Sequence, residues 1–169
     1  MKTKLPLLKT IGALMLLFSA NTAVAQQLRV GVLGGLPAGD ASDVASFNVG
    51  ADASLYFLNI QEKVDIGVSA GYSRYFGKSE TVNGIKFDYD DFAYIPVSAS
   101  GRGVIGSSLV YVADVGYAIG LNDVDGGLFY QAKFGWTNTT IDAYLFYNGI
   151  SADKVNMSLL GLGISFKVL

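Results

Sequence analysis

The chain contains neither cysteine nor histidine. Without cysteine there is no disulfide framework and no thiolate zinc site. Without histidine, every catalytic scheme that runs on imidazole is excluded. Beyond residue 25 no segment offers the roughly 18 uninterrupted apolar residues that a spanning helix needs. Charge is scarce as well, at 15% of residues and slightly acidic in balance. That balance argues against nucleic acid as a partner, because its phosphates select for a basic face. No phosphate-cradling glycine loop is present, and the glycines fall mostly on segments of period two, where they let neighbouring backbones pack closely.

What is present begins with an export signal. "MKTKLPLLK" is cationic, "IGALMLLFSA" is apolar but too short to span, and "AVA" places small residues before a cleavage point between Ala25 and Gln26. Residues 1–25 are therefore expected to be a signal peptide, with one domain over residues 26–169. Loss of Lys2, Lys4 and Lys9 with the leader takes the formal charge from −2 to −5.

The full chain is 51% apolar, and beyond residue 25 it alternates with a period of two. Leu28, Val30 and Val32 alternate with Arg29 and Gly31. Phe47 through Phe57 and Val64 through Tyr72 do the same. So do Leu128 through Trp136, Ile141 through Leu145, and Leu160 through Val168. With Leu109–Gly120 and a run over Phe92–Gly103, the pattern predicts eight strands. The Phe92–Gly103 run is the least distinct, because Pro96 cannot donate to a ladder. Its apolar face is assigned to Ile95, Val97 and Ala99.

Connections alternate too. "NIQEK", "IGSS" and "TNT" are tight, whereas "LPAGDASDVAS", "GKSETVNGIKFDYDD", "NDVDGG" and "NGISADK" are longer and more polar. Such sorting suits an antiparallel up-and-down transmembrane barrel, with short turns at one end and loops at the other. Asn83-Gly84 is a type I′ hairpin signal, so the third and fourth strands are expected to continue as a ribbon.

The stretch "LVYVADVGYAIG" sets a question, since an apolar strand keeps Asp114 at its centre. Alternation puts Asp114 on the inward face, with Arg29, Asp52, Asp65, Arg102, Lys133, Asp142 and Lys167. An eight-stranded barrel is only wide enough for side chains to fill, so these charges are expected to pair in a lumenal network. On the outward face Phe47, Tyr72, Phe76, Tyr117, Tyr130 and Tyr147 fall toward the loop end. Phe57, Tyr111, Trp136 and Phe166 fall toward the turn end, making two aromatic girdles. The Asp123 and Asp125 of "NDVDGG" lack the closing glutamate of a calcium loop and read as a turn. The acidic cluster of Asp88, Asp90 and Asp91 reads as a solvated loop face. No catalytic, cofactor or metal site is expected.

The leader ending "AVA", the "FAYIPVSAS" strand and the terminal "LGLGISFKVL" resemble small outer-membrane β-barrel proteins of the OmpA/OmpX type. The resemblance extends to the single-domain porin-like barrels common in Bacteroidota. It covers nearly the whole mature chain and implies an all-β, eight-stranded barrel in the Gram-negative outer membrane. It also implies contact with outer-membrane lipid, lipopolysaccharide and the barrel-assembly machinery. Two features depart from it: the chain ends in Val168-Leu169 rather than an aromatic, and it lacks a peptidoglycan-binding domain. The expected role is non-enzymatic, stabilising the membrane and offering the loop from Gly77 to Asp91 to an extracellular ligand. A narrow porin-like channel and a soluble lipocalin-like carrier are the competing readings.

Overall fold

The structure is a computed structural model that describes residues 27–82, 85–121, 124–152 and 155–169. Alternating side chains let each segment give one face to each side of a sheet, and ten strands form among the described residues. They are β1 (Gln27–Gly39), β2 (Ala45–Ile60), β3 (Val64–Gly77), β4 (Ser79–Val82), β5 (Ile85–Asp88), β6 (Phe92–Ile105), β7 (Leu109–Leu121), β8 (Gly127–Thr137), β9 (Ile141–Ala152) and β10 (Val155–Lys167). A single-turn helix, α1 (Ala41–Val44), joins β1 to β2.

Eight strands close into a barrel in the order β1-β10-β9-β8-β7-β6-β3-β2, every neighbour antiparallel. Closure is made by β1 on β10, from Arg29 opposite Lys167 to Gly39 opposite Met157. It leaves no edge with unpaired backbone groups, the condition for a sheet to stand in hydrocarbon. Barrel strands run from 11 to 16 residues. A tilted strand needs about 9–11 to cross a bilayer, so the longer walls extend past the apolar belt.

Pro96 is accommodated by position. On one side it lies opposite Ala118 of β7. On the other, the register with β3 passes from Ala70–Val97 to Ser73–Tyr94, and Pro96 falls in that interruption. The missing N–H thus costs no ladder bond on that side.

The loop end differs from the sequence reading in three places. Leu36 to Gly39 belong to β1 instead of a loop, and the chain turns at Gly39, whose φ of 60° suits glycine. The ribbon of β4 and β5 is a separate two-stranded sheet, not an extension of β3 and β6. The segment "NGISADK" is largely strand: β9 runs to Ala152 and β10 starts at Val155, with Ser151 Oγ donating to Asn156 Oδ1 at 2.9 Å across the hairpin. Polar side chains on a strand read like a loop, because composition alone cannot tell the two apart. The leader with its Ala25–Gln26 cleavage point, the Asn83-Gly84 turn, and Asn122 and Asp123 lie outside the described residues.

Candidate functional site

Polar and charged side chains line the inside of the barrel, and they are organised in levels. At the turn end Asp142 of β9 is the centre. Arg102 grips it with two bonds, Nε to Oδ2 at 3.1 Å and Nη2 to Oδ1 at 3.0 Å. Arg29 Nη1 lies 3.0 Å from Oδ2, and the Thr137 hydroxyl donates to Oδ1. Asp65 sits 3.6 Å from Arg102 Nη1 and accepts from Asn59 at 2.7 Å. Lys167 shares the inward face as the register partner of Arg29 but is exposed at the mouth. It makes no ion pair among the described residues.

One level deeper, the Lys133 ammonium pairs with Asp52 and sits 5.0 Å above the Tyr144 ring. Asp114 is 1% exposed and takes a hydrogen bond from Gln131 Nε2 at 2.9 Å. It is therefore hydrogen-bonded instead of ion-paired among the described residues, and its Oδ1 has no partner there. Register explains the contact: Asp114, Gln131 and Asn148 are successive cross-strand neighbours on β7, β8 and β9.

Toward the loop end the lumen turns aromatic. Tyr75 stacks on Phe92 at 4.8 Å, and Tyr94 meets both edge-on at 6.1 Å. Phe129, Phe146, Ile150 and Leu159 belong to the same cluster. Sequence reading missed it, although the signal was there: Tyr75, Phe92, Tyr94 and Phe129 hold the inward phase of their strands. Between the aromatic and ionic levels a cavity of about 30 Å³ remains, bordered by Asp52, Ser69, Ser98, Gln131 and Asn148. That is room for one or two waters.

The outward face is the inverse. Val32, Val115 and Leu162 are 56%, 59% and 68% exposed at mid-wall. Phe47, Tyr72, Tyr117, Tyr130 and Tyr147 are exposed on the loop-end half, where Phe76 stacks on Phe47 at 4.3 Å. Tyr111, Trp136 and Phe166 are exposed toward the turns. Phe57 occupies a register shift between Tyr56 and Leu58 and is half-buried. The extra residue moves the outward phase of β2 to Leu58 and Ile60.

One carboxylate ties the ribbon to the end of β3, and another closes the ribbon on itself. Asp91 accepts the Gly77 amide at 2.8 Å and pairs with Arg74 at 2.8 Å. Asp88 accepts from Ser79 at 2.5 Å and pairs with Lys86. These bonds hold both carboxyls below the usual aspartate range, through the Gly77 amide first for Asp91 and the Ser79 hydroxyl first for Asp88.

No family model and none of the curated proteins matches the chain. Solved structures do. The outer membrane protein Ail of Yersinia pestis, in a phospholipid bilayer nanodisc, aligns with a TM-score of 0.58 at 16% identity, over 83% of this chain and 98% of Ail. The N-terminal β-barrel domain of Pseudomonas aeruginosa OprF gives 0.54 at 16% identity, covering 83% and 96%. Neisserial surface protein A gives 0.53 at 14% identity, covering 87% and 99%. At these identities the likeness is one of fold: the chain has the closed eight-stranded architecture of small outer-membrane barrels.

Proposed function

We propose that this chain is an integral, non-enzymatic outer-membrane protein whose side-chain-filled barrel holds its loops at the cell surface. The observation that carries the reading is the inversion of the wall. Leucine, valine and aromatic side chains stand outward around the whole circumference, while arginine, lysine and aspartate are enclosed. In water that arrangement would expose an apolar surface far larger than a soluble monomer tolerates. In a bilayer it satisfies both faces. A soluble carrier needs the opposite arrangement, with its apolar face around the ligand.

Residues 1–25 serve in this reading as the cleaved leader. The two aromatic girdles meet lipid and lipopolysaccharide headgroups, and the last strand is the element offered to the assembly machinery. The ribbon of β4 and β5 is the part best placed to meet an extracellular ligand, since its own two-stranded sheet stands apart from the barrel. The aromatic and ionic levels that fill the lumen favour a closed barrel over a channel. No steady conductance is expected from the purified protein in planar bilayers.

The absence of native cysteine makes the orientation directly testable. In intact cells, Asp90→Cys should react with a membrane-impermeant maleimide, whereas Ser107→Cys in the turn after β6 should react only once the outer membrane is opened. The reverse pattern, or equal labelling at both, would overturn the reading.

A further inference from the structure

We propose that the turn-end mouth of the lumen binds a small oxyanion, a phosphate or a carboxylate. This site lies at the end opposite the loops and needs nothing from the role assigned to them. The mouth is an open cup of about 550 Å³, bordered by Arg29, Arg102, Lys167, Ser107, Asn138 and Thr139. Arg29 and Arg102 are 4% and 5% exposed and form its floor.

The charges in the cup do not balance. Two guanidiniums converge on one carboxylate, that of Asp142. Arg102 takes the well-aligned bonds to it, and Arg29 Nη1, though 3.0 Å from Oδ2, makes no hydrogen bond. Asp65 is the second acid within reach, but it stands 3.6 Å from Arg102 and is already engaged by Asn59. Lys167 adds a third cation with no ion pair among the described residues. Three cations therefore face two carboxylates, one of them loosely held.

The charged groups that border the cup are cations, with Asp142 and Asp65 set behind them, and a concave surface with a net charge of one sign concentrates counter-ions. Guanidinium groups offer paired donors that match the oxygens of phosphate or carboxylate, bonds about twice as strong as neutral ones. The rim adds neutral donors of the kind that complete such a site, the Ser107 hydroxyl and the Asn138 amide. Water in the cup would solvate the arginines but leave the excess charge in place, which an oxyanion cancels.

The test uses the ¹⁵N-labelled chain folded in detergent micelles and titrated with inorganic phosphate or with acetate, against chloride at matched ionic strength. The amides of Thr137, Asn138 and Thr140 and the arginine Nε–H signals are followed. Saturable shifts confined to these groups are expected with one or both oxyanions, and the anion that saturates identifies the group the cup accepts. Lys167→Gln, an exposed position, should weaken binding several-fold. Lys86→Gln, on the distant ribbon, should leave it unchanged. Shifts no larger than those in chloride would overturn the proposal, as would saturable shifts that Lys167→Gln does not weaken.

Discussion

Asp142 answers to two arginines and a threonine at once, so its charge is worth more to the barrel than any surface pair. Asp142→Asn leaves both guanidiniums enclosed without their counter-charge, and the cost of breaking a buried pair is about 3–5 kcal/mol. Unfolding by urea in micelles should report a loss of that order. Lys133 and Asp52 allow a sharper test, because they form a separate pair one level deeper. Lys133→Met alone strands the Asp52 carboxylate, and Asp52→Leu alone strands the ammonium. The two together should cost less than either one, the signature of coupled buried charges in a double-mutant cycle. Inward placement of these residues was legible from alternation, since Arg29, Asp114 and Lys133 each sit between apolar neighbours. Their partners were not legible. Arg102 and Asp142 are 40 residues apart in sequence, and only strand register and tilt decide that they meet. Asp114 shows the same limit: its phase was readable, but that glutamine and not lysine reaches it is a matter of register.

At the scale of elements, strand existence was written in the period of two, and strand ends were not. Ala152 and Val155 flank a connection that polar composition had enlarged, because a strand rising into water loses its apolar face and with it the signal. The tight turn after β2 carries a different cost. Gln61 and Glu62 both adopt left-handed φ, 52° and 57°, where side chains other than glycine and asparagine are strained. Replacing the pair with Asn-Gly should stabilise the barrel by about 1 kcal/mol, read as a higher urea midpoint with unchanged slope. Gly67 should behave oppositely. A Cβ there would meet the Leu55 carbonyl across the β2–β3 ladder, beside the register shift at Phe57. Gly67→Ala is expected to cost about 1–3 kcal/mol and to lower refolding yield. The ribbon has its own pH dependence. Asp91 ionises below its ordinary value, so its hold on Gly77 and Arg74 is complete above about pH 4 and is lost as pH falls through its folded value, as is the pairing of Asp88 within the ribbon. Amide exchange at Gly77 should accelerate over that acid range while the barrel strands remain protected.

For the whole molecule, one geometric fact governs the account: the apolar side of the sheet faces out. A single arginine at mid-wall distinguishes the possible surroundings. Val115→Arg or Leu162→Arg should destabilise the folded protein in lipid vesicles by about 2–4 kcal/mol, whereas on a water-facing wall the same change would be near neutral. The most direct measurement of the central claim is fractionation of cells expressing the full-length chain, followed by gel mobility with and without boiling. An outer-membrane band that shifts on heating is the result expected of a closed, detergent-resistant barrel. A soluble periplasmic or secreted protein with no shift would contradict the account, since its outward leucines and valines would then have to stand in water.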